Sequence, residues 1–183
     1  MSTKTRGPWT VKGTIERYKN DYFQVLEDEV IRPDQRPGNF STILLRPGVS
    51  VLAVDDEQNV YLTSEYRYAI ERESIEVVSG GIDGNEPTLV CARRELREEV
   101  GIEAKEWTSL GVVDPLTSIV RSPAELFLAR DLTFVEPQHE STEIIRIIRV
   151  TLAEAVRMVM DSEITHGPSA VLILKAHNYL RTQ

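Results

Sequence analysis

Glu95, Glu98 and Glu99 stand three and four positions apart in a chain of 183 residues. On a helix of 3.6 residues per turn, that spacing gathers the three carboxylates on one side. Like charges so close repel one another. Either water solvates them, as on many glutamate-rich helix faces, or a divalent cation stands among them. Hard cations such as Mg2+ take oxygen ligands and often bridge protein carboxylates to phosphate groups. The chemistry open to this cluster is therefore metal-assisted work on a phosphorylated compound.

The surrounding residues describe the helix that must carry the cluster. Leu89, Ala92, Leu96 and Val100 recur at helical spacing and share a second face, which belongs in a core. Pro87 suits a first helical turn, where its missing N–H costs nothing. Gly84 and Asn85 before it are turn and cap residues, and Gly101 is a C-terminal stop. A helix is expected from Pro87 to Val100. Cys91 falls inside it as a small helix residue. It is the sole cysteine, which excludes an intrachain disulfide.

Strands are expected on both sides of this helix. Residues 9–18 and 22–31 are rich in β-branched and aromatic side chains, with a turn at Lys19, Asn20 and Asp21. Trp9 and Tyr22 are read as core fillers. Residues 32–38 read as a loop and 40–45 as a strand. Residues 49–54 and 60–64 flank the hairpin signal Asp55-Asp56-Glu57-Gln58-Asn59. Residues 75–78 read as a short strand leading towards the helix, and 107–113, 125–129 and 144–150 as later strands. Two helices close the chain, at 152–161 with Thr151 as cap and at 169–180. His139 and His166 are read as surface or capping residues.

Composition narrows the function classes. The formal net charge of −8 argues against general nucleic-acid binding, which favours basic surfaces. It leaves anionic small molecules open, because bound cations reverse a local field. The opening MSTKTRGPWT lacks the apolar stretch of a signal peptide, and no run approaches the ~20 apolar residues of a membrane span. A cytoplasmic protein without nucleic-acid or membrane partners is expected.

The segment from Gly80 to Ile102, GGIDGNEPTLVCARRELREEVGI, resembles the Nudix box G-x5-E-x7-R-E-U-x-E-E-x-G-U, where U is aliphatic. Gly80, Glu86, Arg94, Glu95, Leu96, Glu98, Glu99, Gly101 and Ile102 match all nine specified positions. The resemblance implies an α/β Nudix fold, a mixed sheet sandwiched between helices, with an N-terminal β-rich extension. It implies a metal-dependent hydrolase with Mg2+ as cofactor, or Mn2+ as substitute. Glu95, Glu98 and Glu99 become side-chain ligands and Ser79 a ligand through its backbone carbonyl. Arg94 orients a catalytic glutamate through a salt bridge, and Glu86 holds the loop against the helix.

Outside the box, Glu65-Tyr66-Arg67-Tyr68 and Ile75-Glu76-Val77-Val78-Ser79-Gly80-Gly81 resemble the ADP-ribose pyrophosphatase and nucleoside diphosphate sugar hydrolase group. That likeness implies Arg67 and Glu76 as substrate contacts. It implies a general base in the stretch QHESTE, at Glu140 or Glu143, with Glu98 as the alternative. It further implies a homodimer in which residues 1–48 form a β-rich dimerisation segment and residues 49–183 the hydrolase domain. The substrate would be a small nucleoside diphosphate sugar such as ADP-ribose. A nucleotide-sensing domain without catalysis, or an enzyme for another nucleoside diphosphate derivative, are the alternatives.

Overall fold

A strand covered on both faces loses the usual polar alternation, and residues 49–54 carry only Ser50 as a polar side chain. The computed structural model, which describes residues 4–138 and 144–183, places them in the middle of a mixed sheet. In chain order the elements are β1 (Lys4–Arg6), β2 (Trp9–Lys19), β3 (Phe23–Ile31), β4 (Pro37–Leu45), β5 (Gly48–Val54), β6 (Asn59–Arg67), a 3-10 turn (Tyr68–Ile70), β7 (Arg72–Gly81), α1 (Thr88–Val100), β8 (Ile102–Val113), β9 (Val120–Arg121), β10 (Ala124–Phe134), β11 (Arg146–Thr151), α2 (Leu152–Met160) and α3 (Gly167–Leu180).

The chain divides into two units. The smaller comprises Met1–Arg46 with Asp114–Ser122. Its sheet runs β1-β2-β3-β4-β9, with β9 parallel to β4 and the other neighbours antiparallel. Trp9 packs edge-on against Phe40 at 5.6 Å between ring centroids. Asp28 is buried and accepts from Arg6 Nη1 at 2.7 Å. Tyr22, read above as a core filler, is 76% exposed. It stands at the β2–β3 turn, where Asn20 Oδ1 accepts the N–H groups of Tyr22 and Phe23 at 2.9 and 2.8 Å, and a turn residue has no layer above it to fill.

The larger unit comprises Pro47–Val113 and Pro123–Gln183. Its sheet runs β11-β6-β7-β5-β10-β8, with β10 parallel to β5 and the remaining pairs antiparallel. Alternate residues separate its two faces. Val49, Val51, Ala53, Val78, Phe127 and Ala129 pack with Cys91, Ala92, Leu96 and Val100 of α1. Leu52, Val54, Leu62, Val77, Leu126 and Leu128 pack with Leu152, Ala155 and Met158 of α2 and Leu172, Ile173 and Ala176 of α3. Helices thus cover both faces, as expected of this fold.

The hairpin at residues 55–59 forms, but β5 and β6 stay paired only at Ala53–Tyr61 and Val54–Val60. Beyond that they diverge and β7 fills the widening gap, pairing with β6 from Leu62 to Arg67 and with β5 from Gly48 to Val51. This makes β7 ten residues long, against the four read from its apolar run. α1 begins at Thr88, because Pro87 is itself the extended N-cap. Gly101 closes the helix in the left-handed conformation, and its N–H donates to Arg97 O at 3.1 Å. Thr151 caps α2 by accepting Glu154 N–H at 3.1 Å.

Asp55 staples the hairpin. Its Oδ1 accepts the backbone N–H of Asn59 at 2.8 Å, and its Oδ2 accepts from Tyr61 at 3.0 Å and Arg149 at 3.1 Å. Burial alone would raise this carboxyl, but the bonds from Asn59, Tyr61 and Arg149 outweigh it and lower the pKa from 3.8 to about 2. A carboxyl so depressed contributes stability that is full above about pH 4 and fades as the pH falls towards 2. Asp55→Asn should therefore flatten the acid loss of stability across that window. Urea midpoints that fall equally steeply in variant and wild type would contradict this role.

Candidate active site

The end of β7 and the outer side of α1 meet at Gly80. A Cβ placed on Gly80 would collide with the Glu95 carboxylate, so only glycine lets that side chain lie against the strand backbone. The neighbouring Ser79 is registered opposite Ser50 in β5, and their hydroxyls are 3.0 Å apart. The Ser79–Gly80 backbone and the Glu95 carboxylate are thereby held side by side.

Arg94 is the hub of the cluster. Its Nη1 donates to Glu95 Oε1 at 2.8 Å and to Glu98 Oε2 at 3.0 Å. Its Nη2 donates to Glu86 Oε1 at 2.9 Å, and the same oxygen accepts Asp83 N–H at 2.9 Å. Glu86 therefore ties the loop before α1 to the middle of the helix. These bonds, that to Glu86 first, hold the guanidinium firmly charged against the opposing effect of burial. In return, Arg94 and the Asp83 N–H keep the Glu86 carboxyl below its usual range. Arg94 Nε is buried and has no hydrogen-bond partner among the described residues; both outer nitrogens are turned to carboxylates instead.

Among the described residues, no three His, Cys, Asp or Glu side chains stand grouped to hold a metal ion. The donor set nevertheless fits a hard divalent cation. It is all oxygen, and Glu95 and Glu98 converge on one cationic nitrogen, Nη1 of Arg94. Glu99 is half-buried on the same helix, and its negative charge contributes to keeping Arg67 protonated.

Arg67 and Glu76, separated along the chain, are brought together by the β6–β7 pairing. Arg67 grips the Glu76 carboxylate side-on, Nε to Oε1 at 3.1 Å and Nη2 to Oε2 at 2.9 Å. Arg67 Nη1 also lies 2.7 Å from Glu65 Oε2. Glu76 is buried, which by itself would raise its pKa, but Arg67 and His166 outweigh that and hold it ionised. Such a fork-to-fork pair is directional as well as strong. The ring of His166 is half-buried beside Glu76. Its sequence signal was faint: a single glutamate inside the apolar run Ile75-Glu76-Val77-Val78 asks for a partner, but nothing nearby in the chain names it.

Glu140 and Glu143 lie outside the described residues, as does His139. The chain leading to them runs back along α1. Val135 N–H donates to Gly101 O at 2.8 Å and Gln138 N–H to Glu98 O at 3.0 Å. A cavity of about 520 Å3 lies along Arg93, Arg94, Arg97, Glu103, Lys105 and Trp107. Cys91 is no nucleophile here. Burial, with Glu95 and Glu86 nearby, pushes its thiol up to about 12, and a buried protonated thiol is inert.

The NUDIX domain model matches residues 44–167. An ADP-ribose pyrophosphatase of Bacillus subtilis is 31% identical over 134 residues, covering 72% of this chain and 72% of that protein. An ADP-ribose pyrophosphatase of Mycobacterium tuberculosis is 32% identical over 133 residues, covering 70% of this chain and 64% of that protein. A crystal structure of an ADP compounds hydrolase superposes with a TM-score of 0.83 over 96% of this chain and 95% of the other. At 21% identity that last likeness speaks for the fold alone.

Proposed function

The chain belongs to the NUDIX family and is a Nudix pyrophosphatase, and from that premise we propose that it hydrolyses the diphosphate bond of a nucleoside diphosphate sugar, ADP-ribose foremost. The products would be a nucleoside monophosphate and a sugar phosphate. The observation that carries this reading is the convergence of Glu95 and Glu98 on one cationic point beside the Ser79–Gly80 backbone. The substrate class is supported by the two relatives named ADP-ribose pyrophosphatases.

In the proposed reaction, the oxygen of a water adds to one phosphorus. The bridging P–O bond breaks, and its electron pair leaves on the second phosphate. The proton of the water passes to a carboxylate. Mg2+, or Mn2+ in its place, would neutralise the diphosphate charge and lower the pKa of the attacking water. Glu95, Glu98, Glu99 and the Ser79 carbonyl would hold it. Arg94 orients Glu95 and Glu98 and keeps their charges from driving them apart. Arg67 offers the donors that its carboxylate partners leave over to the substrate phosphates. Glu76 fixes that guanidinium and would also accept from the base or ribose of the substrate. Glu140 or Glu143 takes the proton, on a stretch that begins beside α1 at Gln138.

The same reading makes the protein a homodimer through residues 1–48. Ile15, Tyr18 and Tyr22 supply exposed apolar surface there. Light scattering should give twice the 20.7 kDa chain mass, and a clean monomer would remove the dimer from the account.

Release of phosphomonoester from ADP-ribose and related sugar nucleotides in the presence of Mg2+ tests the function. Glu99→Gln keeps the side-chain shape and removes its charge; it should lower turnover at least about a hundredfold, comparable to removing a main electrostatic stabiliser. Turnover within threefold of wild type at saturating Mg2+ would sink the ligand assignment. In the same assay only one of Glu140→Gln and Glu143→Gln should slow turnover strongly. Wild-type rates in both would move the base to Glu98.

A further inference from the structure

His166 precedes α3 but makes no capping bond to it. Its ring turns to the sheet instead. Nδ1 lies 2.8 Å from Ser169 Oγ and 3.5 Å from Glu76 Oε2. Ser169 is fully buried, and its Oγ also accepts Val77 N–H at 3.0 Å. The first turn of α3 is therefore bonded to β7 at Val77, and His166 reaches the side chain one residue earlier.

Glu76 passes that constraint on to Arg67. The two side-on bonds and the Glu65 contact engage all three guanidinium nitrogens. Of five N–H donors, three are thus directed to carboxylates. The two left, one on Nη1 and one on Nη2, have their direction set by the plane of the Glu76 carboxylate. A small rotation of Glu76 would swing them, and a misplacement of about 1 Å can cost about a hundredfold in rate.

Two features separate His166 from the packing around it. The link between α3 and β7 is already made by Ser169 with Val77, so the ring is not needed to hold the helix in place. The ring is also 30% exposed and so fills little of the core. Burial lowers its pKa, Glu76 pulls the other way and Arg67 adds to the lowering. Arg72 nearby is turned to Thr165, its Nη2 donating to Oγ1 at 2.9 Å.

We propose that His166 is a positioning residue: with Ser169 it fixes the Glu76 carboxylate, and through it the Arg67 fork that receives the substrate phosphates. This rests on Arg67 as a phosphate contact. His166→Phe keeps the ring volume and removes Nδ1, whereas His166→Asn places an amide N–H near the same point. With ADP-ribose and Mg2+, His166→Phe should raise KM about tenfold with kcat within threefold, the pattern of lost binding shared by ground and transition states. His166→Asn should stay within threefold of wild-type KM. In an Arg67→Ala background, His166→Phe should change KM less than twofold, because the two act along one path.

A KM within threefold of wild type in His166→Phe would overturn the proposal. So would an undiminished effect in the Arg67→Ala background, or failure of His166→Asn to restore KM. If wild-type protein hydrolyses no sugar nucleotide, the functional reading fails separately, and the Arg67 Nε–H resonance in 15N NMR then decides. It should be protected from exchange in wild type and in His166→Asn, and lost in His166→Phe. Equal protection in all three would overturn the positioning role.

Discussion

Three glutamates and one arginine on the outer side of α1 cannot be placed independently of one another. Two unit charges 4 Å apart interact by about 4 kcal/mol where the effective dielectric constant is ~20. Unbalanced carboxylates would therefore spread into solvent. Arg94 prevents this for Glu95 and Glu98, and it also binds Glu86 of the preceding loop, all within 3.0 Å. Each consequence is visible nearby. Glu86 also takes Asp83 N–H, so the loop entering the helix is fixed. Glu95 lies against a residue without a side chain, Gly80, so the strand end is fixed to the helix.

The sheet makes this arrangement rigid. Residues of β5 and β10 are buried on both faces, one set under α1 and the other under α2 and α3. α1 therefore cannot roll to relieve its charges without lifting Leu96 and Val100 out of the core. Burial of such side chains is worth about 1.5–3 kcal/mol each, so packing holds the carboxylates where repulsion alone would not leave them. The insertion of β7 between β5 and β6 brings its last residues alongside Gly48. The apolar layers thus set the geometry, and Arg94 makes it electrostatically tolerable.

Much of this was legible in the residues. The period of Leu89, Ala92, Leu96 and Val100 defined the buried side of α1, and the spacing of Glu95, Glu98 and Glu99 defined its charged side. Boundaries were less legible where pairing, not composition, decides them. Glu73, Ser74 and Ser79 to Gly81 carry no strand signal, yet they extend β7 because β6 and β5 offer backbone partners. β1 and β9 are three and two residues long and exist only as additions to neighbouring strands. Pro87 reads as a first-turn residue, but with its extended backbone it caps the helix instead. His166 and Ser169 were beyond reach for another reason. Their partners on β7 lie about 90 residues earlier, and the Ser169–Val77 bond spans 92 positions; no local pattern announces such a contact. Glu140 and Glu143 came from family likeness, outside the described residues.

In the proposed site, Glu95, Glu98 and Glu99 of α1 receive a divalent cation, with Arg94 as the charge that holds Glu95 and Glu98 together until then. Mn2+ binding followed by electron paramagnetic resonance of the uncomplexed ion tests it most directly, since it needs no substrate. The account predicts saturable binding to the wild-type protein that weakens at least about tenfold in Glu95→Gln and in Glu98→Gln, with no change in Glu29→Gln, an exposed glutamate of the other unit. Equal Mn2+ affinity in all four proteins would contradict it.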